Sequence, residues 1–158
     1  MSQVKTAELH SLAQGEGPAL WFLGLPTYIK ATGEQTNGAV GMVEHVSVPV
    51  GFESPYHVHH GEDEVFIVTE GEVTFVSGDR RFTGKAGSYT FLPRDIPHGF
   101  RVTGDRPATF FLLFTPAGFE QMFIEMGEPT PPAGPPDMEK LMASVAKRNA
   151  EILGPLPE

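Results

Sequence analysis

Short apolar runs, separated by turn-forming residues, fill the chain up to about residue 115. Several of these runs alternate apolar and polar side chains, as strands with one buried face do. The runs that predict strands are residues 19–25, 28–32, 40–48, 65–69, 73–76, 87–93, 98–102 and 109–115. Proline or glycine ends most of them; Pro26, for example, closes the first run. Turns at such short intervals are typical of an all-β sandwich or barrel, which is the fold class that we predict.

After Pro116 the apolar pattern changes from the spacing of strands to that of helices. Four apolar residues recur at positions i, i+3, i+4 and i+7, namely Phe119, Met122, Phe123 and Met126. This spacing predicts an amphipathic helix. Residues 129–136 form a proline-rich linker, and Asp137 is a suitable N-cap for a second helix that extends to about Arg148. We expect both helices to pack outside the barrel or across its mouth.

The length and composition of the chain indicate one globular unit with a tail. With 158 residues, 40% of them hydrophobic, the chain can build one sizeable core. We therefore assign residues 1–128 to one domain, which comprises an N-terminal arm (residues 1–17), the barrel and the first helix. Residues 129–158 form the proline-rich linker and the C-terminal helical tail.

The charge of the chain narrows its possible partners. The net charge is −9, from 11 basic and 20 acidic residues, so nucleic acid and anionic membranes are not expected to bind. The absence of cysteine excludes thiolate metal sites and cysteine nucleophiles. Residues 1–10 lack the basic and apolar regions of a secretory leader, so none is expected, and no apolar run approaches the roughly 20 residues that span a bilayer. We therefore expect a cytoplasmic protein.

Histidine and glutamate side chains near the middle of the chain have the spacing of metal ligands. His57 and His59 share one face of a strand, because side chains alternate along strands. Glu64 follows across a turn, and His98 lies after a second, proline-stiffened loop. Three imidazoles and one carboxylate can hold a divalent transition metal and leave coordination positions open for chemistry. We predict one such metal per chain (Ni, Fe, Mn, Co or Zn) and no other cofactor.

Two longer motifs surround these residues and resemble those of the cupin superfamily. The first is Gly51-x5-His57-x-His59-x4-Glu64-x6-Gly71, and the second is Gly87-x5-Pro93-x3-Pro97-His98. The stretch between them, residues 72–86, is short, and the resemblance extends over about residues 40–115. Two positions depart from the second motif. Asp95 stands where the family often has glycine, and Val102 where it often has asparagine, but neither position is a metal ligand in the family.

The resemblance implies a double-stranded β-helix, or jelly-roll barrel, with a metal at its centre and often a homodimeric assembly. It makes His57, His59, Glu64 and His98 the metal ligands. The histidine stretch, residues 116–120 and the proline-rich tail are similar in particular to single-domain bacterial quercetin dioxygenase-like cupins. Such a protein would use O2 to cleave a flavonol or another aromatic substrate. Glu64 would then be the catalytic residue, acting as base towards a substrate hydroxyl.

Aromatic residues on the neighbouring strands suggest what kind of substrate binds. The candidate pocket residues are Phe66, Tyr89, Phe91 and Phe100. If these side chains face inward, they form an apolar pocket for a small organic, partly aromatic substrate; alternatively, they only fill the barrel. Two functions other than a dioxygenase stay open. One is a cupin isomerase or decarboxylase, which needs cationic or acid–base side chains inside the barrel. The other is a metal-containing binding or sensing protein without turnover.

Four further polar residues around the first motif are not assigned to the metal. We interpret His60, Glu62 and Asp63 as residues of the turn and of the rim of the barrel. His45 lies on a predicted strand, where a structural or solvated role is expected and a pocket role is left open.

Overall fold

The alternating segments form strands and the tail forms two helices, as the sequence pattern predicts. The computed structural model describes residues 7–158, so residues 1–6 of the predicted arm lie outside the described residues. The elements are β1 (Ala19–Phe22), β2 (Leu25–Ala31), β3 (Gly41–Val48), β4 (Tyr56–His59), β5 (Asp63–Glu70), β6 (Glu72–Ser77), β7 (Arg80–Lys85), β8 (Tyr89–Leu92), β9 (Gly99–Thr103), β10 (Ala108–Thr115), α1 (Glu120–Met126), α2 (Met138–Ala146) and β11 (Ala150–Gly154).

The strands pair in antiparallel fashion and form three sheets within the described residues. The largest sheet has the order β1-β2-β3-β10-β5-β8, and the smaller ones have the orders β7-β6-β9 and β11-β4. β10 lies inside the largest sheet because one of its faces is wholly apolar: Phe110, Leu112 and Phe114 are buried there. The predicted all-β, jelly-roll fold class is confirmed.

Phenylalanine rings pack one part of the barrel interior. The ring centroid of Phe66 lies 5.0 Å from that of Phe75, 5.1 Å from Phe100 and 5.4 Å from Phe110. Phe66, Phe75 and Phe110 are at most 1% exposed. Burial of one such ring contributes roughly 2–3 kcal/mol to folding. Phe100, which packs against Phe66 in this region, also lines the space that remains inside the barrel.

One strand boundary differs from the prediction. The first run was expected to continue to residue 25 and to end at Pro26, but the chain turns earlier. Leu23 and Gly24 have φ angles of 49° and 81°, the left-handed values that a tight hairpin turn requires. β2 therefore begins at Leu25, and Pro26 pairs with Trp21 inside the hairpin. Turn geometry, rather than the proline, sets the boundary.

The two helices of the tail cover the open end of the barrel. Met122 and Phe123 of α1 and Leu141 and Val145 of α2 are buried against barrel residues. The predicted N-cap is confirmed, because the Asp137 carboxylate accepts a hydrogen bond from the backbone N–H of Lys140 at 3.0 Å. Of the two placements considered, the structure shows the helices across the mouth.

An ion-pair network fastens α2 to α1. Glu125 of α1 accepts from Lys147 and from Arg148, each at 2.7 Å, and from the Ser144 hydroxyl at 3.1 Å. These hydrogen bonds lower the pKa of Glu125 to about 2. Within residues 7–158, neither helix has the length and apolarity that crossing a bilayer requires.

The tail ends in a strand that the sequence analysis did not predict. β11 pairs with β4 and places Ala150 opposite His59 and Ile152 opposite His57. The tail thus returns to the strand that carries two of the predicted ligands. The division of the chain at residue 128 stays a prediction.

Candidate metal centre

Two strands and one loop bring the four predicted ligands together. His57 and His59 lie on β4, where alternation puts both side chains on one face. Glu64 is the second residue of β5, and His98 directly precedes β9. Backbone hydrogen bonds of 2.9 and 2.8 Å join His57 to His98 and fix this loop beside β4. We call these four residues the four-donor cluster.

The donor atoms of the cluster converge on a small volume. One nitrogen or oxygen atom from each residue lies within 4.8 Å of all the others. Glu64 Oε2 is 3.2 Å from His59 Nε2 and 3.1 Å from His98 Nε2. His59, Glu64 and His98 are buried, whereas His57 is half-buried and faces a cavity.

In each of the three imidazoles, the Nδ1 atom contacts an oxygen acceptor, and this contact orients the ring. The Nδ1 atoms of His57, His59 and His98 lie 2.7 Å from Pro55 O, 2.6 Å from Glu62 Oε1 and 3.1 Å from Ile96 O, respectively. Carbonyl and carboxylate oxygens accept, so each Nδ1 carries the proton. The three Nε2 atoms are therefore left to face the cluster, an arrangement typical of histidine metal ligands.

Burial and the neighbouring charges set the protonation of the cluster. Burial lowers the pKa of His57 to about 3, and His98 and His59 add to this effect. Burial also opposes a charge on His59, but hydrogen bonds with Glu62 and Glu64 outweigh it and raise its pKa to about 9. For Glu64, burial opposes ionisation, but its hydrogen-bond contacts with His59 and His98 outweigh burial and hold the pKa well below its ordinary value. At neutral pH, His59 thus holds a proton that a metal ion would have to displace.

The cluster fits a divalent transition metal. Imidazole nitrogen and carboxylate oxygen are suitable donors for such ions. Two donors that each lie about 2.1 Å from an ion, at right angles to one another, are about 3.0 Å apart. The separations of 3.1 and 3.2 Å between Glu64 Oε2 and the two Nε2 atoms are close to that value. The four residues could therefore hold one metal ion with little rearrangement.

A cavity of about 90 Å³ lies next to the cluster, between the barrel and the two helices. His57, His59 and Glu64 form its polar end. Its walls are mostly apolar and include Leu25, Phe52, Phe100, Leu112, Phe119 and Leu141. None of the described residues that line it is arginine or lysine. Apolar walls with a few convergent polar groups are typical of sites for small organic molecules.

Of the four candidate pocket residues, one lines the cavity and three do not. Phe100 lines the cavity, and Phe66 lies in the packed core behind it, 5.1 Å away between ring centroids. Tyr89 and Phe91 are 66% and 49% exposed and do not reach the cavity, contrary to the expectation. The inward positions of β8 belong to the buried residues Thr90 and Leu92. Because neighbours on a strand face opposite ways, Tyr89 and Phe91 must then point outward.

Two polar residues near the cluster have roles that the sequence analysis missed or left open. Glu62, interpreted as a rim residue, is buried and bonds His59 Nδ1. His45, expected to be structural or solvated, is buried and lines the cavity. Neither role has a signal in the motif spacing, since Glu62 acts through a turn and His45 through a distant strand. Of the other rim residues, His60 contacts Asp95 and Glu151 rather than the cluster.

Both departures from the second motif are compatible with the structure. Asp95 has a φ angle of 66°, a conformation that favours glycine and that aspartate tolerates better than most residues. Its carboxylate also contacts His60 Nδ1 at 2.6 Å. Val102 is 1% exposed and packs in the core.

The fold and the four-donor cluster define a small jelly-roll protein with a candidate site for a single metal ion. Residues 44–114 match the family model described as "Cupin domain". This stretch contains all four residues of the four-donor cluster, and over it the chain is similar to cupin domains. No curated protein matches the sequence significantly.

Three solved structures have a similar fold. The polyketide cyclase RemF from Streptomyces resistomycificus is 18% identical, with a TM-score of 0.56 over 68% of this chain and 80% of that one. A Cupin 2 conserved barrel domain protein from Salinispora arenicola CNS-205 is 22% identical, with a TM-score of 0.54 over 75% and 97%. KdgF from Halomonas sp. is 17% identical, with a TM-score of 0.54 over 62% and 85%. At these identities the likeness shows the fold alone, since one fold serves many reactions.

Proposed function

We propose that this protein is a metal-dependent dioxygenase that oxidises a small aromatic substrate, such as a flavonol-like compound, with O2. The observation that supports it best is a cluster of three histidines and one glutamate at the end of an apolar cavity. In a dioxygenase reaction both atoms of O2 enter the products, so the substrate supplies all the electrons. No second cofactor or reductant is then required.

The lining of the cavity favours this function over an isomerase or a decarboxylase. Those reactions act on polar or carboxylated substrates, which a cationic or acid–base side chain normally holds. The described residues of the lining include neither arginine nor lysine. His45, the one ionisable side chain there outside the cluster, stays neutral because burial lowers its pKa to about 3. An uncharged, largely apolar substrate fits this lining best.

Each residue of the cluster has a distinct part in the proposed reaction. His57, His59 and His98 would hold the metal together with Glu64, and the bound ion would supply a redox-active Lewis acid beside the cavity. With the metal bound, the charge of the ion would keep Glu64 ionised. Its carboxylate lies at the polar end of the cavity, which places it to receive a hydroxyl proton from the substrate. The apolar walls exclude water from this reaction.

The size of the cavity constrains how an aromatic substrate could enter. Its volume of about 90 Å³ is below the ~150 Å³ of an apolar cavity that is known to accept benzene. An aromatic substrate therefore requires the cavity to expand. We expect α2 to be the wall that moves, because it follows the proline-rich linker and side-chain contacts of Glu125 join its end to α1.

Metal analysis followed by oxygen-uptake measurements tests the proposal. We expect close to one divalent metal per chain in purified protein and its loss in His59→Ala, with His60→Ala as the matched control that retains it. Protein loaded with nickel, iron, manganese or cobalt should consume O2 with quercetin or with one of a set of catechols. Full metal content in His59→Ala would contradict the assignment of the four-donor cluster as the metal site. Metal without oxygen uptake in any combination would indicate a binding or sensing protein instead.

The assembly and the location of the protein stay proposals. We propose a homodimer that acts in the cytoplasm on a small organic substrate, without nucleic acid or membrane partners. Light scattering of the purified protein measures its oligomeric state, and a monomer at all concentrations would contradict the proposed homodimer.

A further inference from the structure

His45 occupies the wall of the cavity, apart from the four-donor cluster. It lies on β3 and is 2% exposed. Three phenylalanine rings surround its imidazole, with centroids 6.0 Å (Phe22), 5.7 Å (Phe110) and 5.4 Å (Phe123) away. The side chain is thus a single polar group in an otherwise apolar part of the cavity wall.

Hydrogen bonds of Thr27 fix which nitrogen of His45 carries the proton. The Thr27 hydroxyl lies 3.0 Å from the Leu25 carbonyl and 2.8 Å from His45 Nδ1. A hydroxyl has one proton, and a carbonyl can only accept. Both contacts are satisfied when Thr27 donates to Leu25 and accepts from a protonated Nδ1. Nε2 then bears a free lone pair.

The lone pair of His45 Nε2 has no partner among residues 7–158 and opens onto the cavity. Within this range, the buried side-chain nitrogen and oxygen atoms without a hydrogen-bond partner are Glu44 Oε2 and Ser88 Oγ. His45 Nε2 is not among them, so this atom is accessible from the cavity. Because burial lowers the pKa of His45 to about 3, the ring stays neutral at ordinary pH. It is therefore a weak base but an effective hydrogen-bond acceptor. An acceptor that opens onto a mostly apolar cavity and has no protein donor can accept a hydrogen bond from a ligand.

We propose that His45 Nε2 accepts a hydrogen bond from a hydroxyl group of the substrate and selects hydroxylated aromatic molecules over purely apolar ones. Thr27 is a positioning residue in this site, because it keeps the proton on Nδ1. The inference rests on the proposed function in so far as it takes the cavity as the substrate site. It narrows the substrate class to compounds with an apolar ring and a neutral hydroxyl.

Nitrogen NMR of wild-type protein tests the acceptor directly. In protein with ¹⁵N-labelled histidine, we expect His45 Nε2 to give the signal of an unprotonated nitrogen. That signal should shift when phenol is added and stay in place when toluene, which is similar in size, is added. A protonated Nε2 in the free protein, or identical responses to the two compounds, would overturn the proposal. This measurement requires neither a folded variant nor turnover.

Binding of the same two probes to variants tests the selectivity. We expect wild-type protein to bind phenol about tenfold more tightly than toluene, the size of effect that one hydrogen bond provides. His45→Phe should remove this preference with little change in toluene binding. Thr27→Val keeps the imidazole but frees its tautomer, so it should reduce the preference partly. All proteins are compared at equal metal content, because phenol could also contact the cluster.

The two proposals fail in different ways. A phenol preference that is lost in His45→Phe, in a protein that oxidises no aromatic compound, would refute the dioxygenase and leave the role of His45 standing. Turnover of an aromatic compound, combined with an unchanged preference for phenol in His45→Phe, would support the dioxygenase and refute the role of His45.

Discussion

Metal binding to the four-donor cluster should release a proton, and Glu62 should control how much is released. The pKa of His59 is about 9: burial opposes its charge, but hydrogen bonds with Glu62 and Glu64 outweigh burial. A metal ligand must be a neutral imidazole, so the ion has to displace this proton. The perturbation that we consider is Glu62→Gln. It keeps an oxygen that can accept from His59 Nδ1, at 2.6 Å in the wild type, but removes the negative charge.

The expected magnitude follows from the pKa of His59. At pH 7, two pH units below about 9, about 99% of His59 is protonated, so each metal ion should release about one proton. The apparent affinity should rise about tenfold per pH unit between pH 6.5 and 8.5. In Glu62→Gln the pKa of His59 should fall towards its ordinary value of 6.5, so that release at pH 7 falls towards about a quarter of a proton. Loss of this partner should also weaken metal binding at high pH by roughly 10–100-fold.

Calorimetric titration of metal into metal-free protein, in two buffers of different protonation enthalpy, measures the protons released. His60→Gln is the matched control, since His60 also bonds carboxylates but lies outside the cluster. Its proton release should equal that of the wild type. Equal release by Glu62→Gln and the wild type, or an affinity independent of pH over this range, would refute the reasoning.

Three further changes should alter stability or motion. Gly71→Ala should destabilise the fold by roughly 1–3 kcal/mol in chemical denaturation, because φ is 75° and the new Cβ would lie 2.6 Å from a backbone carbonyl. Gly78→Ala, with φ of 61° and open space around it, should cost only about 1 kcal/mol; equal losses would contradict the clash. Glu125→Gln should speed hydrogen exchange in α2 while leaving that of the barrel unchanged, since Glu125 fastens the two helices; unchanged exchange in α2 would show that apolar packing alone holds the helix. Lowering the pH of metal-free protein from 6.5 towards 4 should reduce the free energy of unfolding. His45 and His57 have folded-state pKa values of about 3, so between pH 6.5 and 4 these two side chains take up protons only in the unfolded chain. A free energy of unfolding that does not change over this pH range would contradict the reasoning.

Much of the secondary structure could be predicted because its causes are local. Alternation of apolar residues defines strands such as β10, and the i, i+3, i+4, i+7 pattern defines α1. The cap at Asp137 depends on a residue only three positions away. The position of β11 could not be predicted in this way, because it depends on pairing with β4, more than 90 residues earlier in the chain.

The sequence by itself determined the barrel class and the helical tail, because strand alternation and short turns act within a few residues. It also determined the four residues that converge, through the spacing of the two motifs that resemble those of cupins. The tertiary structure decided which face of each strand is inside. That is why Tyr89 and Phe91 lie on the outer surface although their strand was assigned correctly. It also decided which polar groups support the site: Glu62 reaches His59 through a turn, and His45 reaches the cavity from another strand. The position of His45 depends on the packing of distant segments. Glu62 is only three residues from His59, but the apolar pattern does not show that its side chain is buried against that ring.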